Sequence, residues 1–399
     1  MEFGGRWVLK HVPQLLGILP YASAWGLLLR FEGQTIRVIE SRGRREIRID
    51  REDRCQLAQV IRNFDLYFEL CEAALATAQD DGSRVVDLGI PAIRGCLWRL
   101  QHVSEAPRFG RIVRWMPDRI DIRDRSTRRV IRISHASAFY LYDTMESFDH
   151  YFGSVRPSTE DEAGVALDVV DFSTPRLQWV EGFGDFEVFC PSHAEPFRVC
   201  LDYLELARLC PGDVVLDLGC YSGLTAIAFS KAVGPSGRVI TLEPDPVNHR
   251  AARMNIECHR KANGLDNITL LPLAVAASSG LIAFSEEGSM GSSTLDVVGA
   301  GRGRSVSVEC VSLEELCARQ RLERVDFVKM DIEGSEVDVI RAAAGFLQAF
   351  HPRMVIEPHM VHGRRADRVI MPWLQRHGYE CRLVAQTGYT LPLVLATPV

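Results

Sequence analysis

One segment limits what this chain can fold into more than any other: Val214-Val215-Leu216-Asp217-Leu218-Gly219-Cys220-Tyr221-Ser222-Gly223. An apolar run carrying a single acid reads as a strand buried on both faces. A glycine-bearing turn follows it and opens into a helix over 224–232. Glycine permits backbone angles and a close ligand approach that other residues resist. The helix start offers unpaired N–H groups, which suit a carboxylate. Asp217 then either holds a ligand's ammonium group or organises the loop. Further strands are expected at 238–242, 268–273, 325–329, 354–357, 379–386 and 391–396. Helices are expected at 247–262, 313–319, 336–344 and 366–377. Apolar strands alternating with helices imply a parallel sheet covered on both faces, with ligands at the carboxyl ends of the strands.

Two of those strand ends carry acids of chemical interest. The strand over 238–242 runs into Glu243-Pro244-Asp245, roughly 20 residues past the glycine turn, where an acid can accept two ribose hydroxyls. The strand over 325–329 ends in Lys329-Met330-Asp331-Ile332-Glu333-Gly334-Ser335-Glu336. A lysine and three acids at a buried sheet edge are costly unless paired or working. The glycines are spaced G-x-x-x-G and lack the G-x-G-x-x-G pattern of dinucleotide binders, which argues against a nicotinamide-dependent oxidoreductase.

At these residues the sequence resembles the FkbM-type family of class I S-adenosylmethionine-dependent methyltransferases. The stretch Val325 to Glu336 is very like that family's most specific motif. The loop Asp217 to Gly223, Glu243 to Pro246 and Ile356-Glu357-Pro358-His359 also match. The resemblance covers about the last 200 residues well. It implies an α/β, Rossmann-like, mostly parallel seven-stranded sheet over 201–399. It implies S-adenosylmethionine as cofactor, no metal, and methyl transfer to a hydroxyl oxygen of a sugar, polyketide or other natural product. It carries cofactor roles to Asp217, Gly219, Gly223 and Glu243, and active-site roles to Lys329, Asp331 and Glu333. Tyr221 and Ser222 complete the cofactor loop. Tyr221 departs from the wider superfamily, where glycine is common, and would tighten the site.

Methyl transfer is an in-line displacement, so the protein mainly positions the acceptor. An alcohol also benefits from a general base, worth about 10²–10⁴-fold. Asp331, Glu333 and His359 are the candidates, with Asp331 favoured for its place at the strand end. Lys329 would pair with or orient an acid; otherwise these charges form a buried network. His359 is equally well read as a helix-cap or core histidine. A non-catalytic scaffold that binds S-adenosylmethionine, or nothing, is the alternative reading.

The first 200 residues repeat themselves at an offset of 84. Ile36, Val38, Ile47 and Ile49 fall on Ile120, Ile122, Ile131 and Ile133. Phe64-Asp65 and Tyr67-Phe68 fall on Phe148-Asp149 and Tyr151-Phe152, and Val85-Val86-Asp87 and Pro91 on Val169-Val170-Asp171 and Pro175. Each copy reads as a strand pair, an aromatic-bearing helix, then a short strand, which makes an α+β region of two modules at 1–110 and 111–200. The aromatics, at helical spacing, read as core. Val85 to Gly89 looks like a nucleotide-binding strand, but Pro91 follows where a glycine loop would be needed, so it reads as structural. The modules are candidates for shaping the acceptor pocket, for self-association, or for docking a carrier protein.

Composition narrows the rest. A net charge of -6 and a pI near 6.0 leave no broad basic surface for nucleic acid. The arginine runs 42–48 and 123–132 alternate with Ile and Val and read as wet strand faces. Eleven cysteines without a C-x-x-C pair argue against zinc fingers and disulfide frameworks, and point to the cytoplasm. Arg6, Lys10 and the apolar run around 15–19 resemble a signal peptide, but Pro13, Gly17 and Pro20 interrupt it. No apolar run reaches the ~18–20 residues of a membrane span.

Overall fold

The computed structural model describes residues 26–40, 45–50, 57–62, 64, 68, 84–87, 106–116, 118–294, 304–361, 364–388 and 392–399. The signal-like stretch 1–25, Arg42 to Arg44, and Asp65, Tyr67, Gly89 and Pro91 of the first module lie outside the described residues. The chain divides into two compact units, Met1–Pro117 and Asp118–Val399. The residues expected to form the second module therefore sit mostly in the larger unit.

In the smaller unit, β1 (Leu27–Glu32), β2 (Thr35–Glu40) and β3 (Arg45–Asp50) form an antiparallel meander. Helix α1 (Leu57–Arg62) follows, and β4 (Arg84–Asp87) returns parallel to β3. Period-two patterning buries Ile36, Val38, Ile47 and Ile49 on one face. Arg45 lies 5.5 Å from the ring centres of Phe64 and Phe68, which stack on each other. Strand β5 (Arg111–Trp115) ends the unit.

The larger unit begins with the hairpin β6 (Ile120–Asp124) and β7 (Arg129–Ile133), then α2 (Leu141–Glu146) and α3 (Phe148–Phe152). Strands β8 (Ser158–Glu162) and β9 (Val165–Phe172) follow, with β9 parallel to β7. Ile120, Ile122, Ile131 and Ile133 are buried. Arg129 lies 5.5 and 5.1 Å from the rings of Phe148 and Phe152, which also stack. The arginines on these strands face carboxylates, as Arg132 does Glu160 at 2.8 Å. A short pair, β10 (Arg176–Gln178) and β11 (Val188–Cys190), leads into α4 (Phe197–Ala207).

The remaining elements are β12 (Val214–Leu218), α5 (Leu224–Val233), β13 (Arg238–Leu242), α6 (Pro246–Asn263), β14 (Ile268–Leu271), β15 (Ala274–Val275), β16 (Gly280–Glu286) and β17 (Arg304–Val311). After these come α7 (Leu313–Gln320), β18 (Phe327–Met330), α8 (Glu336–Ala342), α9 (Ala344–Phe350), β19 (Arg353–Ile356), β20 (Met360–Val361), β21 (Arg364–Arg365), α10 (Asp367–Arg376), β22 (Tyr379–Val384) and β23 (Leu393–Pro398). Seven of the strands form one sheet in the order β14-β13-β12-β18-β19-β23-β22, parallel except for β23. Alternate residues feed two cores. Val215, Val239, Phe327 and Val355 pack under α4 and α5. Leu216, Leu218, Ile240, Val328, Met330 and Ile356 pack under α7 to α10. Burial on both faces is why these strands read as near-continuous apolar runs. A side sheet, β15-β17-β16, was not expected from the sequence, and neither was α9, which follows the expected helix α8.

Candidate active site

The carboxyl ends of β12, β13, β18 and β19 lie side by side and present, in turn, Gly219, Glu243, Asp331 and Glu357. Backbone bonds fix this edge: Gly219 N–H donates to Leu242 O (3.1 Å), Asp331 N–H to Leu218 O (3.0 Å) and Glu357 N–H to Met330 O (2.9 Å).

Gly219 has φ 85°, and a Cβ there would meet the carbonyl oxygen of Asp331 at 1.9 Å, so both conformation and space require glycine. Gly223 (φ 84°) starts α5 with no side-chain cap, which leaves the helix's first N–H groups for other partners. Tyr221 also takes a left-handed conformation, φ 49°. It is pinned at both ends: its N–H donates to Glu243 Oε2 (2.8 Å) and its hydroxyl to the carbonyl of His193 (2.7 Å). Ser222 is buried, and its Oγ has no hydrogen-bond partner among the described residues. Its carbonyl accepts from Asn255, which also bonds the backbone of Phe189. Glu243 accepts from the N–H groups of Tyr221 and Asp245. Burial, reinforced by the charge of Asp245, pushes its carboxyl up to about 8. Asp245 caps α6 and takes the N–H groups of Glu287 and Gly288, which ties the 287–292 turn beside Glu243.

Asp217 is fully buried and accepts from the hydroxyls of Thr225 (2.9 Å) and Thr241 (3.1 Å). Its other oxygen, Oδ1, has no hydrogen bond among the described residues and lies 3.7 Å from Lys329 Nζ. This geometry matches the loop-organising reading of Asp217. Lys329, 1% exposed, donates to the carbonyl of Gly219 and to Asp331 Oδ2, and lies over the ring of Tyr203. Burial opposes its charge, but Asp331, Asp217 and Glu195 outweigh it and hold the ammonium above the usual lysine range. Glu195, in the segment before α4, is buried and is pushed up to about 8 by desolvation.

His359 stands among four carboxylates. Its Nδ1 donates to buried Glu336 (2.9 Å), and its Nε2 lies 3.5 Å from Glu333, 3.8 Å from Asp331 and 3.9 Å from Glu357. Burial disfavours its charged form, yet Glu333 and Glu336 overcome that and raise it well above the usual histidine range. Glu357 accepts from the Tyr203 hydroxyl (2.9 Å) and is pushed up to about 7 by burial and by the charge of Asp331. Glu333 takes a left-handed conformation, φ 54°.

The geometry thus brings every candidate onto one edge: Gly219, Tyr221, Ser222, Gly223 and Glu243 on one side, Lys329, Asp331, Glu333 and His359 on the other, with Asp217 beneath. Residues 217–381 match the family model described as the methyltransferase FkbM domain. This part of the chain is therefore similar to FkbM methyltransferase domains. Two proteins align with it. One is the 2-O-methyltransferase NoeI of Sinorhizobium fredii, 30% identical over 33% of this chain and 57% of that protein. The other is the 31-O-demethyl-FK506 methyltransferase FkbM of Streptomyces tacrolimicus, 28% identical over 43% of this chain and 74% of that protein. The chain thus spans a little over half of the first relative's length. Among solved structures, methyltransferase FkbM from Methylobacillus flagellatus aligns over 84% of this chain and 70% of its own, at 13% identity and a TM-score of 0.38.

The site also holds residues beyond those expected from the sequence. Glu357 and Glu336 lie inside the motifs quoted above, so the signal was present. Glu195 and Tyr203 come from before the sheet and reach the site only through folding.

Proposed function

We propose that this chain transfers a methyl group from S-adenosylmethionine to a hydroxyl oxygen of a small-molecule or glycan acceptor. The observation that carries the reading is the convergence of the Gly219–Gly223 turn, Glu243 and the Asp331–Glu357–His359 cluster on one carboxyl edge of the sheet. Two of its relatives are named as O-methylating enzymes, which supports oxygen as the acceptor atom.

The residues fit the cofactor. The uncapped start of α5 suits its carboxylate, the unpartnered Ser222 hydroxyl lies in the same loop, and Glu243 keeps lone pairs for ribose hydroxyls beyond its two backbone donors. When bound, S-adenosylmethionine supplies an electrophilic methyl group on a sulfonium. Asp217 and Lys329 hold the glycine turn and Asp331 in one rigid unit. A carboxylate of the Asp331, Glu333 and Glu357 group takes the hydroxyl proton as the oxygen is methylated, worth about 10²–10⁴-fold.

The N-terminal region is, in the same proposal, two copies of one module, 1–110 and 111–200, ahead of the domain at 201–399. Arg45 over Phe64 and Phe68, and Arg129 over Phe148 and Phe152, are the same contact at an offset of 84, which supports it.

Calorimetric titration with S-adenosylmethionine and S-adenosylhomocysteine tests the cofactor. Micromolar binding lost in Glu243→Ala is expected. No binding to a folded protein would move the weight to a non-catalytic scaffold.

A further inference from the structure

Three side chains of the acid–histidine cluster share one design. Each has one arm pinned by an outer partner and the other turned inward. Asp331 Oδ2 is held by Lys329 at 3.2 Å. Glu357 Oε2 is held by the Tyr203 hydroxyl at 2.9 Å, with Gln386 at 3.4 Å. His359 Nδ1 is held by Glu336, whose own carboxylate is fixed by the N–H groups of Ile332 and Gly334. The free arms converge. His359 Nε2 lies 3.8 Å from Asp331 Oδ1 and 3.9 Å from Glu357 Oε1, and one ligand atom from each of the three residues lies within 4.8 Å of the other two.

Those separations are too long for N–H···O hydrogen bonds. A shared ion would draw them slightly closer: two ligands each about 2.1 Å from one metal stand about 3.4 Å apart at the tetrahedral angle, so side-chain movements of about half an ångström close the site. A buried carboxylate behind the far nitrogen is the device that fixes a metal-bound imidazole. The same three side chains are half-buried, so a hydrated ion can reach them.

We infer that Asp331, Glu357 and His359 form a site for a divalent transition-metal ion of the Mn²⁺, Fe²⁺ or Zn²⁺ class. One imidazole nitrogen with two carboxylates suits these ions, whereas Mg²⁺ and Ca²⁺ prefer oxygen alone, and binding releases the Nε2 proton of His359 to solvent. The resemblance to the family implied no metal, so this is a departure. The role of the ion, though not its geometry, rests on the methyl-transfer reading. It sits beside the acceptor and lowers the pKa of the hydroxyl it touches. Glu333, whose Oε1 lies 3.5 Å from His359 Nε2 but which is not one of the three ligands, takes the proton. The new C–O bond forms as the S–CH₃ bond of S-adenosylmethionine breaks, and that bond's electron pair stays on the thioether sulfur. Asp331 is then a ligand and not the base.

Manganese is the probe, because the chain's cysteines compete poorly for it. The full chain is titrated with Mn²⁺ and free ion is followed by electron paramagnetic resonance. S-adenosylhomocysteine binding is measured on the same sample. The inference expects one saturable equivalent, weakened at least tenfold in both Glu357→Gln and His359→Gln, with S-adenosylhomocysteine binding kept in Glu357→Gln. No saturable Mn²⁺ uptake by wild-type protein that binds S-adenosylhomocysteine overturns the ion and leaves the methyl-transfer reading standing. Mn²⁺ uptake unchanged in both variants places the ion elsewhere and also overturns it. Mn²⁺ uptake without S-adenosylhomocysteine binding overturns the methyl-transfer reading, and with it the role given to the ion.

Discussion

Replacing Lys329 with methionine tests the electrostatic centre of the larger unit. The side chain is of similar length and stays apolar, so packing against Tyr203 is largely kept. What disappears is the cation 3.7 Å from Asp217 and 3.2 Å from Asp331. At an effective dielectric of about 20, a pair at the first distance is worth about 4.5 kcal/mol before desolvation is counted. Desolvating the lysine offsets much of that gain, so the pair is a poor source of net stability. Losing only one partner is different. Asp217 would keep a fully buried carboxylate whose Oδ1 has no hydrogen bond, which points to a loss of about 3–5 kcal/mol. The loop is hit as well, because the Gly219 carbonyl loses its donor. Urea denaturation followed by circular dichroism gives the stability, and calorimetry gives S-adenosylhomocysteine affinity. Adding Asp217→Asn to Lys329→Met removes the stranded charge and should recover at least half of the loss. A single Lys329→Met variant within 1 kcal/mol of wild type would refute the reasoning. So would a double variant less stable than the single one.

Two further outcomes follow from contacts in the same unit. Tyr221→Phe removes the hydroxyl that donates to His193 O and touches Ser192, and leaves a buried carbonyl short of a donor; a loss of about 1–3 kcal/mol is expected, with weaker S-adenosylhomocysteine binding in calorimetry. His193 is buried among Tyr140, Tyr151 and Phe172, and burial holds its imidazole down to about 3. The unfolded chain takes up that proton near pH 6.5 and the folded chain does not, so stability falls as pH drops below 6.5, by up to about 1.4 kcal/mol per unit. Melting temperatures at pH 7 and pH 5 should show this drop in wild type and a smaller one in His193→Gln; equal drops would remove His193 as the cause.

What could be read from the sequence, and what could not, divides along one physical line. Asp217, Glu243 and Asp331 were legible because each lies within one residue of the end of a parallel strand, and such an end is marked locally by an apolar run, an acid and a turn. Glu357 carries the same mark at the end of β19. The helix expected over 336–344 is α8, whereas α9 was not expected and follows it directly after Ala343. The side sheet was hidden because β16 and β17 expose much of their length and alternate only weakly. Glu195 and Tyr203 had no local mark at all. They sit over 120 residues from Lys329 in sequence and meet it only because α4 packs across the face of the sheet that also carries Asp217. The even and odd positions of β12 and β18 explain why this face is the active one. Residues 215 and 327 send apolar side chains under α4 and α5, so 217 and 329, two steps on, send their charges the same way. The lysine is thereby held against the glycine turn on one side and Asp331 on the other. The cofactor loop and the acid–histidine cluster are joined through the Lys329 ammonium, so removal of Lys329 itself should be felt on both sides.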